Sequence, residues 1–506
     1  MKSYQFLLHL EAIIICFSAS APAAAPKKVV ASAFTPTPYV ESEYIYFTAT
    51  AGDQMGKTQR NPSKSKLSES MMSQEAKTLR DDFLKIQSST ELAKLVDRCE
   101  NEKEYDSLKN ADAKYLAAIL ASLKPLRGAL YRFRPLFSSE KVTHSIVLTF
   151  VKNISINIQM ISAKNPIEFV FDYLAAPYAE NGKMIDQIPS EGQFQEWLDQ
   201  VAKKNLIKLS NRLAALNFDQ STVVFDQRII FGKESFKDDI ERFKRISEVE
   251  KQMAIAGIEF NISYLNYLRA YSNENIMSLY KKLGNLYGID GFLFSEVDGV
   301  TLKDFSHILK MRDFQNTFTL MTDGPQYMKE SYRFLLSGAR RVNAIWKETL
   351  KRPADTDFLV NTGFFQVDIE RGNVNVANFL KLVEGENPDG STLIRSVSTG
   401  EVATFNTRAF FENPLKDLKT LMPNKFEENT EKSTTVSLSL GSGKVQQNKN
   451  VTYRNFNYGK STGWDVNSFQ AFLPKVQNSN DIIVAGRVMA HSSAGLGRLM
   501  GLPRSE

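Results

Sequence analysis

Residues 332–353, with the sequence YRFLLSGARRVNAIWKETLKRP, give the clearest sign of a helical protein. Apolar residues recur there every three or four positions, which is the spacing of one face of an amphipathic helix. Those residues are Tyr332, Leu335, Leu336, Ala339, Val342, Trp346 and Leu350. Lys351 and Arg352 follow where the helix dipole favours positive charge, and Pro353 cannot continue a helix. The stretch therefore predicts a helix that ends just before Pro353.

Two capping boxes predict further long helices upstream. In a capping box, a Ser or Thr side chain caps the helix, and a polar side chain three residues later bonds back to the cap. Ser190 with Gln193 begins one helix, whose apolar residues continue at helical spacing. Ser235 with Asp238 begins another, an amphipathic helix of about twenty residues that Gly257 would end.

Weaker helical patterns fill much of the chain between these helices. They cover residues 74–86, 91–99, 111–123 and 276–283. Residues 143–161 fit a helix by their length, although the three isoleucines between 154 and 158 alternate as in a strand. A helix bundle is the simplest architecture that accommodates these patterns.

Strand patterns begin beyond this bundle. Alternating apolar residues on both sides of Gly372 predict a hairpin, and a second hairpin is predicted around Gly400. Further strands are expected at 436–440 and 451–453, on either side of a glycine-rich connection. Residues 427–435 read as a polar insertion between strands.

The predicted fold class is α+β, with a mainly α-helical bundle body followed by a β-rich C-terminal domain. The expected segments are a signal peptide at 1–23, an extended linker at 24–70, a helical domain of one or two subdomains at 71–352, the β-rich domain at 353–490 and a flexible tail at 491–506. The linker has few apolar residues over 52–70, so it buries too little surface to offset its ordering entropy.

The first 23 residues predict a secretory signal peptide. Lys2 precedes an apolar run at 6–15, and the small residues after it suit cleavage after Ala23. The run is shorter than the roughly 20 residues of a membrane-spanning helix, and His9 and Glu11 interrupt it. We therefore expect an exported protein, in the bacterial periplasm or secreted.

The overall charge argues against a nucleic-acid partner. Lys and Arg number 63 against 57 Asp and Glu, which gives a formal net charge of +6. The two signs are interleaved along the chain, whereas nucleic-acid binders concentrate their basic residues in a patch or stripe. An envelope protein or a cell-wall polymer is the expected partner.

One cysteine, Cys99, remains after removal of the signal peptide. An internal disulfide is therefore excluded. A lone exported thiol could pair with another chain, but Ala93, Leu95 and Val96 lie at helical spacing from Cys99. This pattern favours a thiol that is buried as a small apolar group.

Motifs for metal or nucleophilic chemistry are incomplete, and we expect no metal and no cofactor. His144, His307 and His491 are far apart and lack the paired spacing of metal ligands. Ser278 and Lys281 have the spacing of a Ser-x-x-Lys pair, but the companion Lys-Thr-Gly segment is missing.

Asp290, Glu296 and Asp298 form an acidic segment around the small hairpin predicted near 292–302, and Glu296 and Asp298 are its weak catalytic candidates. Two carboxylates can hydrolyse a glycosidic bond when one donates a proton and the other attacks or activates water. The alternative is structural, because Asp298-Gly299 is typical of a hairpin turn. A small hairpin is therefore predicted within the helical body.

The densest basic and aromatic cluster contains three candidates for contact with anions or with a membrane, Arg127, Arg132 and Arg134. Arginines between aromatic residues can meet phospholipid headgroups or an acidic polymer. The alternative is that Phe133 and its apolar neighbours pack into the bundle while the arginines stay solvated.

These observations predict a non-enzymatic, exported cell-envelope scaffold or binding protein that acts through protein or cell-wall contacts. Long amphipathic helices, the signal peptide and the incomplete catalytic motifs favour this hypothesis. One alternative is a cell-wall or polysaccharide hydrolase that uses paired carboxylates. A second alternative is a peripheral protein that makes weak contact with an anionic membrane.

Overall fold

A computed structural model shows a mainly helical fold, with six two-stranded antiparallel sheets in the part of the chain that it describes. The described residues are 67–136, 172–180, 182–218, 223–231, 242–276, 278–279, 289–290, 293–294, 311–351, 357–358, 366–396, 399–423, 425–433, 436–440, 443–447, 451–490 and 496–502. No helix within these ranges is both long enough and apolar enough to cross a bilayer.

Five short helices form the N-terminal part of the described chain. They are α1 (Gln74–Lys85), α2 (Ser89–Glu100), α3 (Glu102–Ser107), α4 (Ala111–Ala121) and α5 (Ala129–Phe133). Ser73 and Ser88 cap α1 and α2, because each hydroxyl accepts a hydrogen bond from a backbone N–H in the first turn. The helices predicted at 74–86, 91–99 and 111–123 are confirmed, with small shifts of their ends.

The capping box at Ser190 also begins a helix. A small hairpin, β1 (Ala179–Glu180) and β2 (Lys183–Met184), precedes α6 (Glu191–Trp197), a π-helical turn (Leu198–Lys203) and α7 (Lys204–Ala214). The Ser190 hydroxyl accepts a hydrogen bond from the Gln193 N–H at 3.3 Å. The predicted helix start is confirmed, but the sequence pattern did not indicate the wider turn that separates α6 from α7.

The helix predicted from Ser235 to Gly257 is wrong over residues 243–246, which form a strand, and correct over residues 248–257, while residues 235–241 lie outside the described ones. The chain forms β3 (Val223–Asp226), α8 (Arg228–Phe231), β4 (Phe243–Ile246) and α9 (Glu248–Ala270). Strand β4 pairs with β3, and Phe243 and Ile246 are both buried in this hairpin. A capping box at Ser247 and Glu250 starts α9, which runs straight through Gly257. Helical spacing of apolar residues could not reveal β4, because its pairing with β3, a separate segment that ends at Asp226, leaves no mark on the pattern within residues 243–246.

Helices α9 and α10 (Gly324–Lys351) form an antiparallel pair at the centre of the fold. Ser263 contacts Ser331 near one end, and Gln252 contacts Arg341 toward the other. Gly338 permits this close packing, since a Cβ atom on Gly338 would lie 2.6 Å from Cε1 of Phe260. The helix predicted before Pro353 is confirmed, and it begins earlier than its apolar stripe indicated.

A short antiparallel pair of strands, β5 (Ile289–Asp290) and β6 (Leu293–Phe294), lies in the segment where the small hairpin was predicted. The Asp298-Gly299 pair lies outside the described residues. The predictions for residues 1–66 and 143–161 lie outside them as well.

The predicted β-rich C-terminal domain is not shown, and the hairpin predicted across Gly372 is wrong. Helix α11 (Gln366–Glu384) occupies that segment, and Gly372 faces the indole ring of Trp346. The alternation near Gly372 covers few residues, whereas Phe379, Leu382 and Val383 bury a helical face next to α10. Burial of that face favours the helix over two exposed strands.

Strands and short helices make up much of the described chain that follows α11. The elements are β7 (Thr392–Arg395), β8 (Val402–Phe405), α12 (Thr407–Glu412), β9 (Lys425–Ser433), β10 (Val436–Leu440), β11 (Gly443–Gln447), β12 (Val451–Thr462), α13 (Val466–Gln470), α14 (Ser479–Ala490) and α15 (Leu496–Leu499). The β7–β8 hairpin around Gly400 is confirmed. The interpretation of 427–435 as an insertion is wrong, because β9 pairs with β12.

Two apolar cores meet along α9. The first core combines the N-terminal helices and β3–β4 with Ile255, Ile258 and Ile262 of α9. The second combines the C-terminal end of α9 with α10, α11 and the elements that follow, including Leu496 and Met500 from the predicted tail. Helix α9 therefore forms part of the wall of both cores.

Candidate functional site

The two catalytic candidates, Glu296 and Asp298, lie outside the described residues. The same holds for His144, His307 and His491. Within the described part of the chain, no three His, Cys, Asp or Glu side chains lie close enough together to hold a metal ion. The hydrolase hypothesis therefore stays a prediction.

The three arginine candidates have different surroundings. Arg127 donates to Oδ2 of Asp97 at 3.0 Å, and its guanidinium carbon lies 4.0 Å from the ring centroid of Tyr178. Arg132 donates to the hydroxyl of Tyr178 at 3.4 Å. Arg134 is exposed to solvent. Internal contacts thus engage Arg127 and Arg132, and contact with an anionic membrane stays a prediction.

The aromatic member of this cluster, Phe133, belongs to the first core. It is 1 % exposed, and its ring packs edge-on against Phe194 and Trp197 with centroid distances of 5.0 and 4.9 Å. Such aromatic pairs add to the stabilisation from burial. Phe133 is therefore positioned to hold α5 against α6.

Cys99 is buried, as its apolar neighbours predicted. Burial raises the pKa of the Cys99 thiol to about 11, because the charged thiolate would lose its hydration. A thiol acts as nucleophile or metal ligand only when it is deprotonated. The surroundings of Cys99 therefore favour a packing role over a reactive one.

A buried ion-pair network, which the sequence patterns did not indicate, surrounds Asp226. This carboxylate is fully buried and accepts hydrogen bonds from Arg228 and Arg242 at 2.7 and 2.9 Å. Arg80 lies 3.4 Å from Asp226 and 2.6 Å from Glu69. Burial would raise the pKa of Asp226, but the hydrogen bonds from the arginines outweigh that effect and lower it. The network ties the segment before α1 to the β3–β4 hairpin.

A concave surface where charged and apolar groups converge lies between α9 and α10 and is called here the α9–α10 groove. It has a volume of about 680 Å³. Its lining residues are Glu248, Val249 and Gln252 of α9, and Arg333, Leu336, Ser337, Arg340, Arg341, Ala344, Ile345 and Glu348 of α10. Ligand sites commonly have volumes of this order and combine apolar walls with a few polar groups.

One wall of the α9–α10 groove is fixed by a hydrogen-bond network. Arg341 donates to both carboxylate oxygens of Glu259, at 3.1 and 2.9 Å, in a bidentate arrangement. Arg341 also contacts the side-chain amide oxygen of Gln252, and Ser337 donates to Glu259 at 2.9 Å. Bidentate pairs constrain orientation as well as distance. The groove therefore has a preformed wall.

The two ends of the groove carry opposite charge. Arg333 at one end is exposed, its guanidinium lies over Phe334, and it has no acidic partner among the described residues. Glu248 and Glu348 line the other end, and among the described residues each forms its salt bridge with a lysine on its own helix. The arrangement is suited to a ligand whose ends also carry opposite charge.

Sequence reasoning did not single out this groove, although part of its signal is readable. Arg333 and Arg340 are seven residues apart, and Ala344 and Glu348 continue the same side of the helix. The facing wall could not be predicted, because it requires α9 to begin at Ser247. Comparisons of the chain with protein-family models, with curated proteins and with solved structures give no match.

Proposed function

We propose that this chain is an exported, non-enzymatic binding protein of the cell envelope, and that it holds a partner protein in the α9–α10 groove. The signal-peptide pattern of residues 1–23 supports export. The groove supports binding, because it joins an apolar floor to charged groups that point to solvent.

The single observation that carries the proposal is the preformed wall of the groove. Arg341, Glu259 and Gln252 hold α9 and α10 in register through side-chain hydrogen bonds. A surface that is ordered before binding loses less conformational entropy on binding, so less of its favourable interaction energy is offset. The α9–α10 groove is accordingly a better contact surface than a loop that must order on binding.

Site-specific photocrosslinking tests the proposal. A photoreactive benzoylphenylalanine replaces Ala344, which is exposed and lines the groove, in the tagged full chain. The matched control carries the same group in place of Lys347, which is exposed on the same helix but does not line the groove. We expect discrete adducts with an envelope protein from position 344 and none from position 347.

Two results would contradict the proposal. Equal crosslinking from both positions would show that contact is not confined to the groove, and no adduct from position 344 would remove the support for binding. Fractionation of the same cells tests export. We expect the mature chain in the periplasm or medium, with its N-terminus at Ala24, and a cytoplasmic chain that keeps residues 1–23 would disprove export.

A further inference from the structure

We infer that the occupant of the α9–α10 groove is an amphipathic helix of a partner protein, with acidic residues at one end and basic residues at the other. The inference rests on the proposed binding function and specifies the partner of that same site. Its three supports are the length of the groove, its apolar floor and its charge distribution.

The length of the groove matches a helical segment. The groove follows α10 from Arg333 to Glu348, which lie 15 positions apart, and at 1.5 Å per position this corresponds to about 22 Å. A partner helix of about four turns covers this distance. Peptide helices that bind in grooves between helices present residues at positions i, i+3 or i+4 and i+7 to the groove.

Apolar side chains line much of the groove, beside the polar groups of Gln252, Ser337, Arg340 and Arg341. Val249 of α9 and Leu336, Ala344 and Ile345 of α10 line it between the charged ends. Leucine or isoleucine side chains on one face of a partner helix would bury apolar surface against these residues. An unstructured polyanion would gain no such burial, so the floor favours an amphipathic helix over a polymer.

The charges at the two ends of the groove indicate which end of the partner helix is acidic and which is basic. Arg333 offers an exposed guanidinium at one end, and an acidic side chain is its natural partner. Glu248 and Glu348 lie at the other end. The pair of Glu348 with Lys351 is exposed and within one helix turn, so it is weak, whereas Lys251 is buried and leaves only the carboxylate of Glu248 partly open to solvent. Arg341 pairs with the largely buried Glu259, so its charge is already compensated, whereas the pair of Arg340 with Glu384 is exposed and leaves Arg340, like Arg333, open to an acidic partner.

Peptide binding to the mature full chain tests the inference. The probe is a fluorescent peptide of about sixteen residues with glutamates at one end, leucines at helical spacing and lysines at the other end. Fluorescence anisotropy measures its affinity for the protein and for two variants. R333E reverses the charge inside the groove, and K347E makes the same charge change on the same helix outside it.

We expect R333E to weaken binding by about tenfold or more and K347E to change it by less than about twofold. A second peptide with lysines in place of the glutamates should regain affinity for R333E, because the charge pair is restored with its signs exchanged. Circular dichroism of both variants provides the folding control. Both side chains are exposed, so we expect both variants to fold.

The outcomes separate this inference from the proposed function. A failure of the peptide to bind, or equal effects of R333E and K347E, would overturn the inference. Equal binding of polyglutamate would overturn it as well, since that probe lacks an apolar face. If photocrosslinking from position 344 still captures an envelope protein, the proposed function stands while the inferred occupant is wrong.

Discussion

Replacing Asp226 by asparagine should destabilise the protein more than any exposed acid-to-amide change. Asp226 is fully buried, and Arg80, Arg228 and Arg242 all contact the same carboxylate. The D226N substitution keeps the shape of the side chain but leaves these guanidiniums with less compensating charge. Breaking a buried ion pair by removing one partner costs about 3–5 kcal/mol. That loss is a large fraction of the 5–15 kcal/mol that is typical for unfolding a domain.

The assay is urea unfolding at pH 7 followed by circular dichroism, with the change in free energy taken from the shift in midpoint and the slope. The matched control is D186N. Asp186 forms an exposed pair with Lys183, with side-chain exposures of 82 and 78 %. An exposed pair of this kind contributes at most about 1 kcal/mol. A loss below about 1 kcal/mol for D226N would refute the reasoning, because the buried network would then be no stronger than the exposed pair.

The D226N substitution should also change how the free energy of unfolding depends on pH in the acidic range. The pKa of Asp226 is lowered in the folded protein, so its stabilisation is fully present above the unfolded value of about 4. That stabilisation is lost as the pH falls from about 4 through the lowered folded pKa. We expect the difference in stability between the wild-type chain and D226N to shrink below about pH 4 and to stay constant from pH 5 to 7. A difference that grows on acidification would contradict the assigned direction.

Two further predictions concern packing. Cys99 should resist a thiol reagent at pH 8 in the native protein and react after unfolding in urea, because the thiol is buried and its pKa is raised to about 11. Rapid labelling of the native protein would contradict the burial of Cys99. G338A should be less stable than G192A by about 1–3 kcal/mol, since a Cβ on Gly338 would lie 2.6 Å from Phe260 whereas Gly192 has open space. Both changes share the gain in helix propensity, so equal urea midpoints would disprove the steric argument.

Local signals in the sequence predicted helices where the cap and the apolar stripe lie together. Ser190 begins α6, and the stripe that ends at Lys351 corresponds to the C-terminal part of α10. The same kind of pattern after Ser235 predicted a helix through residues 243–246, yet these residues form β4, and α9 follows the cap at Ser247. The difference arises because residues 243–246 pair with β3. A pattern within one segment does not show which other segment will lie beside it.

The candidate site was predicted less well than the fold. The sequence contains Arg333 and Glu348 on one side of a predicted helix, but a groove needs a second wall. That wall is the N-terminal turn of α9. The sequence predicted a helix from Ser235 to Gly257, so these residues were placed in the middle of a helix and not at its start. Gly372 illustrates the same limit, because it reads as a turn residue but instead makes room for Trp346 between two helices.

The shared helix α9 determines how the chain can be divided. A cut between residues 271 and 311 would separate α9 from α10 and would expose Phe260 and Tyr267, which pack against the second core. Domain-sized fragments with that boundary should aggregate during expression, because each would present a large apolar surface to water. The shortest fragment that retains both cores runs from Leu67 to Leu502, and crystallisation or display of a smaller piece should begin from that boundary.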